Sequence, residues 1–400
     1  MRSVRNLAAL VLVLAVAHEG ANDAHAVSYQ LTDLSPFAPD TIYGFVPSRG
    51  TGVNEQGEVS LSWGFNVPSG KGTFPVQAGL YRGSLIDLGN LPGSNNDEAY
   101  GVNDSGHVVG RAGASGSGRA FLHDGTSMGE LSGLAGYFSE ARGVNNSDHV
   151  VGWYGAPASP GPAFTHAFRH DGTTLLDLGA LGGDLSRGYG INEAGRTTGE
   201  AETAAGTSHA FLHDGTTMYD LGTLLGGENS YGRGINVHGH VTGYSQLAPA
   251  DSNHHAFLFD GTTMHDLGTL FDGPLPAGNS TFGYAVNSHG HVVGEWNSGL
   301  ANSSLAFLYT PDGGMVDLNT LVDLPSGWTL AAAVGISDAG HITGYARADG
   351  TERAFLLTPI PEPGTLLLAV AAASLGWPRF RQRTGHLQRR TRFGIGQKLS

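Results

Sequence analysis

One signature, Gly-Val/Ile-Asn-x-x-Gly-x-Val-Val/Thr-Gly, returns seven times along this chain, and a chain that repeats itself at a fixed period folds as a repeat. The copies read GVNEQGEVS at Gly52, GVNDSGHVVG at Gly101, GVNNSDHVVG at Gly143, GINEAGRTTG at Gly190, GINVHGHVTG at Gly234, AVNSHGHVVG at Ala285 and GISDAGHITG at Gly335. Their markers Asn54, Asn103, Asn145, Asn192, Asn236, Asn287 and Ser337 are 49, 42, 47, 44, 51 and 50 residues apart. Periods of about 40 to 50 residues are those of propeller blades.

A second signature follows each first one, clearest as HDGTTLLDLG after Ala167-Phe168, HDGTTMYDLG after Ala210-Phe211 and FDGTTMHDLG after Ala256-Phe257. One unit then reads as four short strands: Ala141 to Asn145, His149 to Tyr154, His166 to His170 and Thr173 to Leu178. The Asn of Gly-Ile-Asn can hydrogen-bond the backbone two residues on and start the first hairpin. Asp-Gly at Asp124, Asp171, Asp214, Asp260 and Asp312 predicts a type I′ turn between the third and fourth strands.

The two ends of the repeated body complement each other. The last Ala-Phe strand, Ala354-Phe355-Leu356, has no Asp-Leu strand after it, while Tyr29 to Leu34 is an Asp-Leu strand with nothing before it. The sequence therefore predicts an all-β, seven-bladed β-propeller of four-stranded blades over 27–359, closed by the N-terminal strand completing the last blade, which removes exposed strand edges. A parallel β-helix would leave this arrangement unused.

Outside the repeats, Arg2 and Arg5 precede an apolar run from Leu7 to Ala17, and Ala24-His25-Ala26 offers a small-x-small cleavage pattern, so 1–26 reads as a signal peptide. The run is too short for a span, which needs about 20 residues. At the other end, Pro361-Glu362-Pro363 is followed by a charge-free stretch from Gly364 to Trp377 and then Arg379, Arg381 and Arg383. This order resembles the PEP-CTERM sorting signal, here over 360–383, with a basic tail over 384–400; an ordinary single-pass anchor is the alternative. The resemblance implies a Gram-negative envelope, an exosortase and signal peptidase as processing partners, transient inner-membrane contact, and a final place at the cell surface or outside it. The repeats themselves resemble the extracellular HAF repeat family, a membership that implies secretion and brings no catalytic residues.

Charge bounds the partners. The segment 27–359 holds 12 Lys and Arg, Lys71 being the only lysine, against 32 Asp and Glu. Such a surface repels phosphate backbones, which argues against nucleic acid. No cysteine is present, so neither disulfides nor thiolate metal sites can hold this chain together.

Function is expected where the longer connections lie. Ala112 to Gly118, Gly155 to Thr165, Ala201 to Ser208, Ser245 to His254 and Asn297 to Ser304 all fall between second and third strands, on one face with the connections between units. Trp63, Trp153, Tyr154, Tyr244, Trp296 and Tyr345 follow the Val-Val-Gly strand, and Tyr137, Phe138, Tyr189, Tyr231 and Phe282 fall in the connections between units. Beside Glu140, Asp184 and Glu228, these rings suit neutral sugars, such as those of an extracellular polysaccharide; the competing reading is that they pack between blades. The candidate ligand-binding set is Trp63, Tyr137, Trp153, Tyr154, Tyr189, Tyr231, Tyr244, Trp296 and Tyr345.

Other chemistry is thinner. His107, His149, His240, His291 and His341 begin second strands, read as solvated positions too far apart for a tetrahedral metal site. His254-His255 and His166 with His170 carry only a weak zinc pattern, and no calcium loop occurs. Gly125-Thr126-Ser127-Met128-Gly129 matches Gly-x-Ser-x-Gly but lies in a hairpin, without the strand-to-helix turn that exposes a nucleophile. The acids recur at repeat-equivalent turns. The sequence thus points to a non-enzymatic, cofactor-free surface or matrix protein, with a secreted polysaccharide hydrolase or lyase as the alternative.

Overall fold

The structure, a computed structural model, describes residues 28–35, 47–64, 75–113, 118–155, 164–249, 253–271, 279–300 and 303–361. The expected leader with Ala24 and Ala26, Lys71, and the sorting residues Glu362, Pro363, Arg379, Arg381 and Arg383 lie outside them, and Pro361 is exposed at their end. The chain divides into two units, Met1–Ile360 and Pro361–Ser400, and the elements below belong to the first. Among the described residues there is no α-helix, only strands and one 3-10 turn at Leu318–Leu321. No described helix is long and apolar enough to cross a membrane.

The strands form five four-stranded sheets and one eight-stranded sheet. In the simplest of them, Asp97–Val102, Val108–Ala112, Arg119–His123 and Met128–Glu130 pair antiparallel in chain order. The eight-stranded sheet is two such runs in chain order, joined by a single parallel contact between Thr165 and Leu185. The sheet containing Trp328–Ile336, Ile342–Ala348 and Thr351–Pro359 takes its fourth strand from the other end of the chain: Tyr29–Asp33 pairs with the last strand, Tyr29 opposite Pro359 and Asp33 opposite Phe355.

Outside the sheet that begins at Ser48, where Gly79 stands in place of a phenylalanine, the sheets are held by the same few side chains. The Phe of Ala-Phe, at Phe121, Phe168, Phe211, Phe257, Phe307 and Phe355, is fully buried, which stabilises by about 1.5–3 kcal/mol per side chain. Its ring lies across the glycine that ends Val-Val-Gly. A Cβ on Gly152 would come 1.9 Å from the Glu140 carbonyl oxygen and 2.9 Å from the Phe168 ring, so only glycine admits this approach. The His of His-Ala-Phe and the Asp of Asp-Leu-Gly form a cross-strand pair: His166 Nδ1 lies 2.8 Å from Asp177 Oδ2, and Asp177 Oδ1 accepts from the Gly179 amide at 2.8 Å. The same pairs recur at His209 with Asp220 and His255 with Asp266.

Two turn expectations need correction. In the Asp-Gly hairpins at Asp124, Asp171, Asp214 and Asp260 one bond recurs, the Asp124 amide donating to the Ser127 carbonyl, which makes Gly125 and Thr126 the central pair; at Asp312 the positive φ falls on Gly314 instead. Gly125 has φ +87° and neither Asp124 nor Thr126 has a positive φ. That is the type II′ pattern, with glycine first, rather than type I′. The aspartate instead caps the turn, its Oδ1 accepting from Thr126 and Ser127 amides and the Thr126 hydroxyl. The histidines at the start of the second strands are half-buried rather than solvated: His107 Nδ1 meets Asp148 at 2.8 Å, and the His341 ring lies against Gly57.

Contacts between sheets repeat as well. Ala120, Ala167 and Ala210 donate their amides to Ser139, Ser186 and Ser230 on the next four-stranded run, and Ala354 of the last run donates in the same way to Ser48 of the first. At the Asn turns, Asn145 Oδ1 accepts from the Ser147 and His149 amides while its Nδ2 reaches the Asn192 carbonyl of the next run. This relay runs unbroken from Asn54 to Ser337. Ser337 has no side-chain amide to pass it on, and the Glu55 carboxylate accepts from the Asp338 and Ala339 amides at 2.7 and 2.8 Å.

Candidate functional site

In every first strand the register slips by one residue just before the Gly-Val/Ile-Asn signature, and the residue left over is Thr51, Tyr100, Arg142, Tyr189, Arg233, Tyr284 or Val334. A β-bulge re-aims the extra residue. All of these residues line one central cavity of about 400 Å³. Tyr and Arg alternate among them over consecutive sheets. The Arg142 guanidinium lies 3.9 Å from the Tyr100 ring centroid and 6.0 Å from that of Tyr189, and Arg233 lies 4.0 Å from Tyr189. Desolvated cation–π pairs of this kind are worth about 2 kcal/mol.

Glutamates on neighbouring strand positions tie the rim. Tyr100 donates to Glu98 at 2.5 Å, Tyr189 to Glu200 at 3.4 Å and Tyr284 to Glu295 at 3.2 Å. Glu140, nearly buried, accepts from Arg111 and from Arg142 at 3.2 and 2.5 Å. Burial pushes the Tyr284 phenol well above its usual range, with Glu295 reinforcing the shift, and it lifts Tyr345 to about 12. Both phenols stay protonated at neutral pH and so are not nucleophiles, and Tyr284 donates to Glu295. The expectation that acids, apart from scattered loop residues, sit at repeated turns does not hold: Glu98 with Glu140, and Glu200 with Glu295, lie inside strands, each pair at one repeat-equivalent position that the other units fill with other residues.

A lateral depression of about 940 Å³ opens from the same wall and shares Tyr189 and Arg233 with the central cavity. Tyr231 and Tyr244 line it, their ring centroids 4.8 Å apart, with Arg187, Glu200, His254 and Phe282. Here Arg187 donates to Glu200 at 2.8 Å, and Arg233 donates to the Tyr244 hydroxyl at 2.6 Å.

The nominated aromatic residues therefore divide. Tyr189 and Tyr345 line the central cavity, and Tyr189, Tyr231 and Tyr244 the depression. Trp63 lies across Gly79 in its own sheet, where a Cβ would meet its ring at 2.1 Å. Trp153 stacks on Phe138 at 5.0 Å, and Trp296 meets Phe271 edge-on at 4.8 Å. Tyr137 and Tyr154 form an edge-to-face pair at 5.4 Å beside Phe164, and Tyr154 donates to Asp177. Phe138, Tyr189, Tyr231 and Phe282 belong to first strands rather than to the connections before them. Sequence reasoning missed Tyr100, Arg142, Arg233 and Tyr284. Their signal was a variable residue immediately ahead of a constant motif.

No protein-family model matches the sequence, and no curated protein does. Solved structures similar to it include the β-propeller domain of the Trilobed protease from Pyrococcus furiosus, 8% identical over 78% of this chain and 93% of that one, with a TM-score of 0.48. A putative TolB from Agrobacterium tumefaciens is 13% identical over 79% and 99%, with a TM-score of 0.44. The SapL1 lectin in complex with alpha methyl fucoside is 12% identical over 71% and 96%, with a TM-score of 0.40. At such identities and TM-scores the likeness does not reach the site.

Proposed function

We propose that this chain is an exported, non-enzymatic protein of the cell envelope or extracellular matrix whose segment 27–359 is a closed seven-bladed propeller that binds a polysaccharide on one face. Closure is supported by Tyr29–Asp33 pairing with Thr351–Pro359 and by the Ala354 to Ser48 contact, which repeats the contact between consecutive sheets. The binding reading rests on one observation: the bulged Tyr100, Arg142, Tyr189, Arg233 and Tyr284 converge on a cavity continuous with the Tyr231–Tyr244 depression. Aromatic faces, hydroxyl donors, guanidinium donors and carboxylate acceptors are together the groups that hold a hydroxyl-rich ligand. Export, exosortase processing at Pro361-Glu362-Pro363 and membrane retention remain proposals drawn from the order of residues at the two ends.

Titration calorimetry of the exported chain against a panel of bacterial polysaccharides tests the site. Tyr189→Ala lowers the affinity for the bound polymer at least tenfold, while Trp153→Ala and Trp296→Ala leave it within twofold. Equal losses from all three variants would refute the placement.

The four strand-borne glutamates, paired with the bulged tyrosines and arginines, favour a second reading, a glycan hydrolase or lyase, because acids and tyrosines held together are what such chemistry needs. Against it, the phenols are held protonated by burial. Release of new reducing ends by the purified chain, abolished in Glu295→Gln, would establish the enzyme.

A further inference from the structure

The lateral depression, like the central cavity beside it, reverses the charge balance of the body. Segment 27–359 carries 32 acidic against 12 basic residues, yet among the described residues the depression is lined by two arginines, Arg187 and Arg233, and by one carboxylate, Glu200. Glu200 is pulled between them, 2.8 Å from Arg187 Nη1 and 3.9 Å from Arg233 Nη2, with its side chain only 10% exposed. One buried carboxylate cannot neutralise two guanidinium groups. Burial opposes the charge on both arginines, yet with Glu200 between them both stay cationic. Arg187 is the more accessible one, its side chain 44% exposed against 22% for Arg233, and its guanidinium lies 5.4 Å from the Trp153 ring centroid.

We infer that this depression is a subsite for an anionic sugar unit, its carboxylate received by Arg187 with Arg233 behind it and its ring lying on Tyr231 and Tyr244. The inference rests on the polysaccharide reading above and names the class of unit within it. A planar guanidinium matches a carboxylate through two parallel hydrogen bonds, and a neutral sugar would leave the surplus charge of the depression unanswered. The acidity of the body limits the ligand further. A dense polyanion would meet repulsion over the whole surface, so the fitting polymer carries its acidic units sparsely, among neutral ones.

The test is calorimetry of the exported chain with a uronate-containing oligosaccharide and with the same oligosaccharide after reduction of its carboxyl groups to primary alcohols. The acidic form binds at least tenfold tighter. Arg187→Gln abolishes the difference, Arg187→Lys keeps part of it, and Glu200→Gln, which removes the competing carboxylate, widens it. An unchanged urea midpoint in Arg187→Gln separates lost recognition from lost folding. Equal binding of the two oligosaccharides overturns the inference and leaves the polysaccharide reading standing. Binding of neither, nor of any polymer in the panel, overturns both.

Discussion

At Asn145 one side chain satisfies three backbone groups at once: two amides of its own turn and the Asn192 carbonyl of the next four-stranded run. The first role follows from an Asn in a turn sequence, and the sequence showed it. The second depends on a carbonyl 47 residues away and could not be read locally. Asn145→Ala leaves buried groups without partners, each costing about 1–3 kcal/mol, so chemical denaturation should show a loss of about 3 kcal/mol or more; a loss below about 1 kcal/mol would refute the relay. The histidines carry a pH dependence. Burial holds His123, His170, His213, His240, His291 and His341 below the usual histidine value. Their unfolded forms take up protons first, near pH 6.5, so stability is full above that pH and falls as the pH drops through it. The turn aspartates act lower: amide hydrogen bonds from Thr174 and Thr173 hold Asp171 at about 2. Their contribution is present above about pH 4 and lost as the pH falls towards the folded value. Melting temperature measured against pH should descend in two stages on acidification, and a flat profile between pH 7 and 5 would exclude the histidine stage.

Among the elements, the first strand of each unit was the one the sequence read least well. Its alternation was visible, but the extra residue ahead of Gly-Val/Ile-Asn breaks the period of two, and a bulge shows in sequence only as an unremarkable residue in a variable place. The second strand was more legible, because Val-Val-Gly is β-branched and bounded by a turn. What it did not disclose is why glycine ends it. The Phe168 ring and the Glu140 carbonyl occupy the space a Cβ on Gly152 would need. Gly152→Ala must displace backbone rather than a flexible side-chain end and should cost at least about 3 kcal/mol, the upper end of overpacking penalties. Gly172→Ala meets no neighbouring atom and suffers only its φ of +92°. Urea midpoints of the two variants compare the causes, and a larger loss at Gly172 would reverse the explanation.

For the whole molecule, the proposed closure makes the two ends of the folded body interdependent. Deleting residues 28–34 leaves the strand Thr351–Pro359 with an unpaired edge, a template for pairing with other chains. Light scattering should then show self-association, with a lower urea midpoint; a monomeric variant of unchanged midpoint would deny that this pairing matters. The chain by itself determined the repeat, the four strands in each unit, the position of the turns and the complementary ends, because hydrophobic alternation and turn residues act over a few neighbours. Only the tertiary structure decided which side chains meet. Tyr100, Arg142, Tyr189, Arg233 and Tyr284 stand more than 40 residues apart from one to the next, and their convergence depends on a bulge repeated in every first strand. It depends equally on sheets packed side by side, a property of the assembled fold that no local stretch of sequence carries.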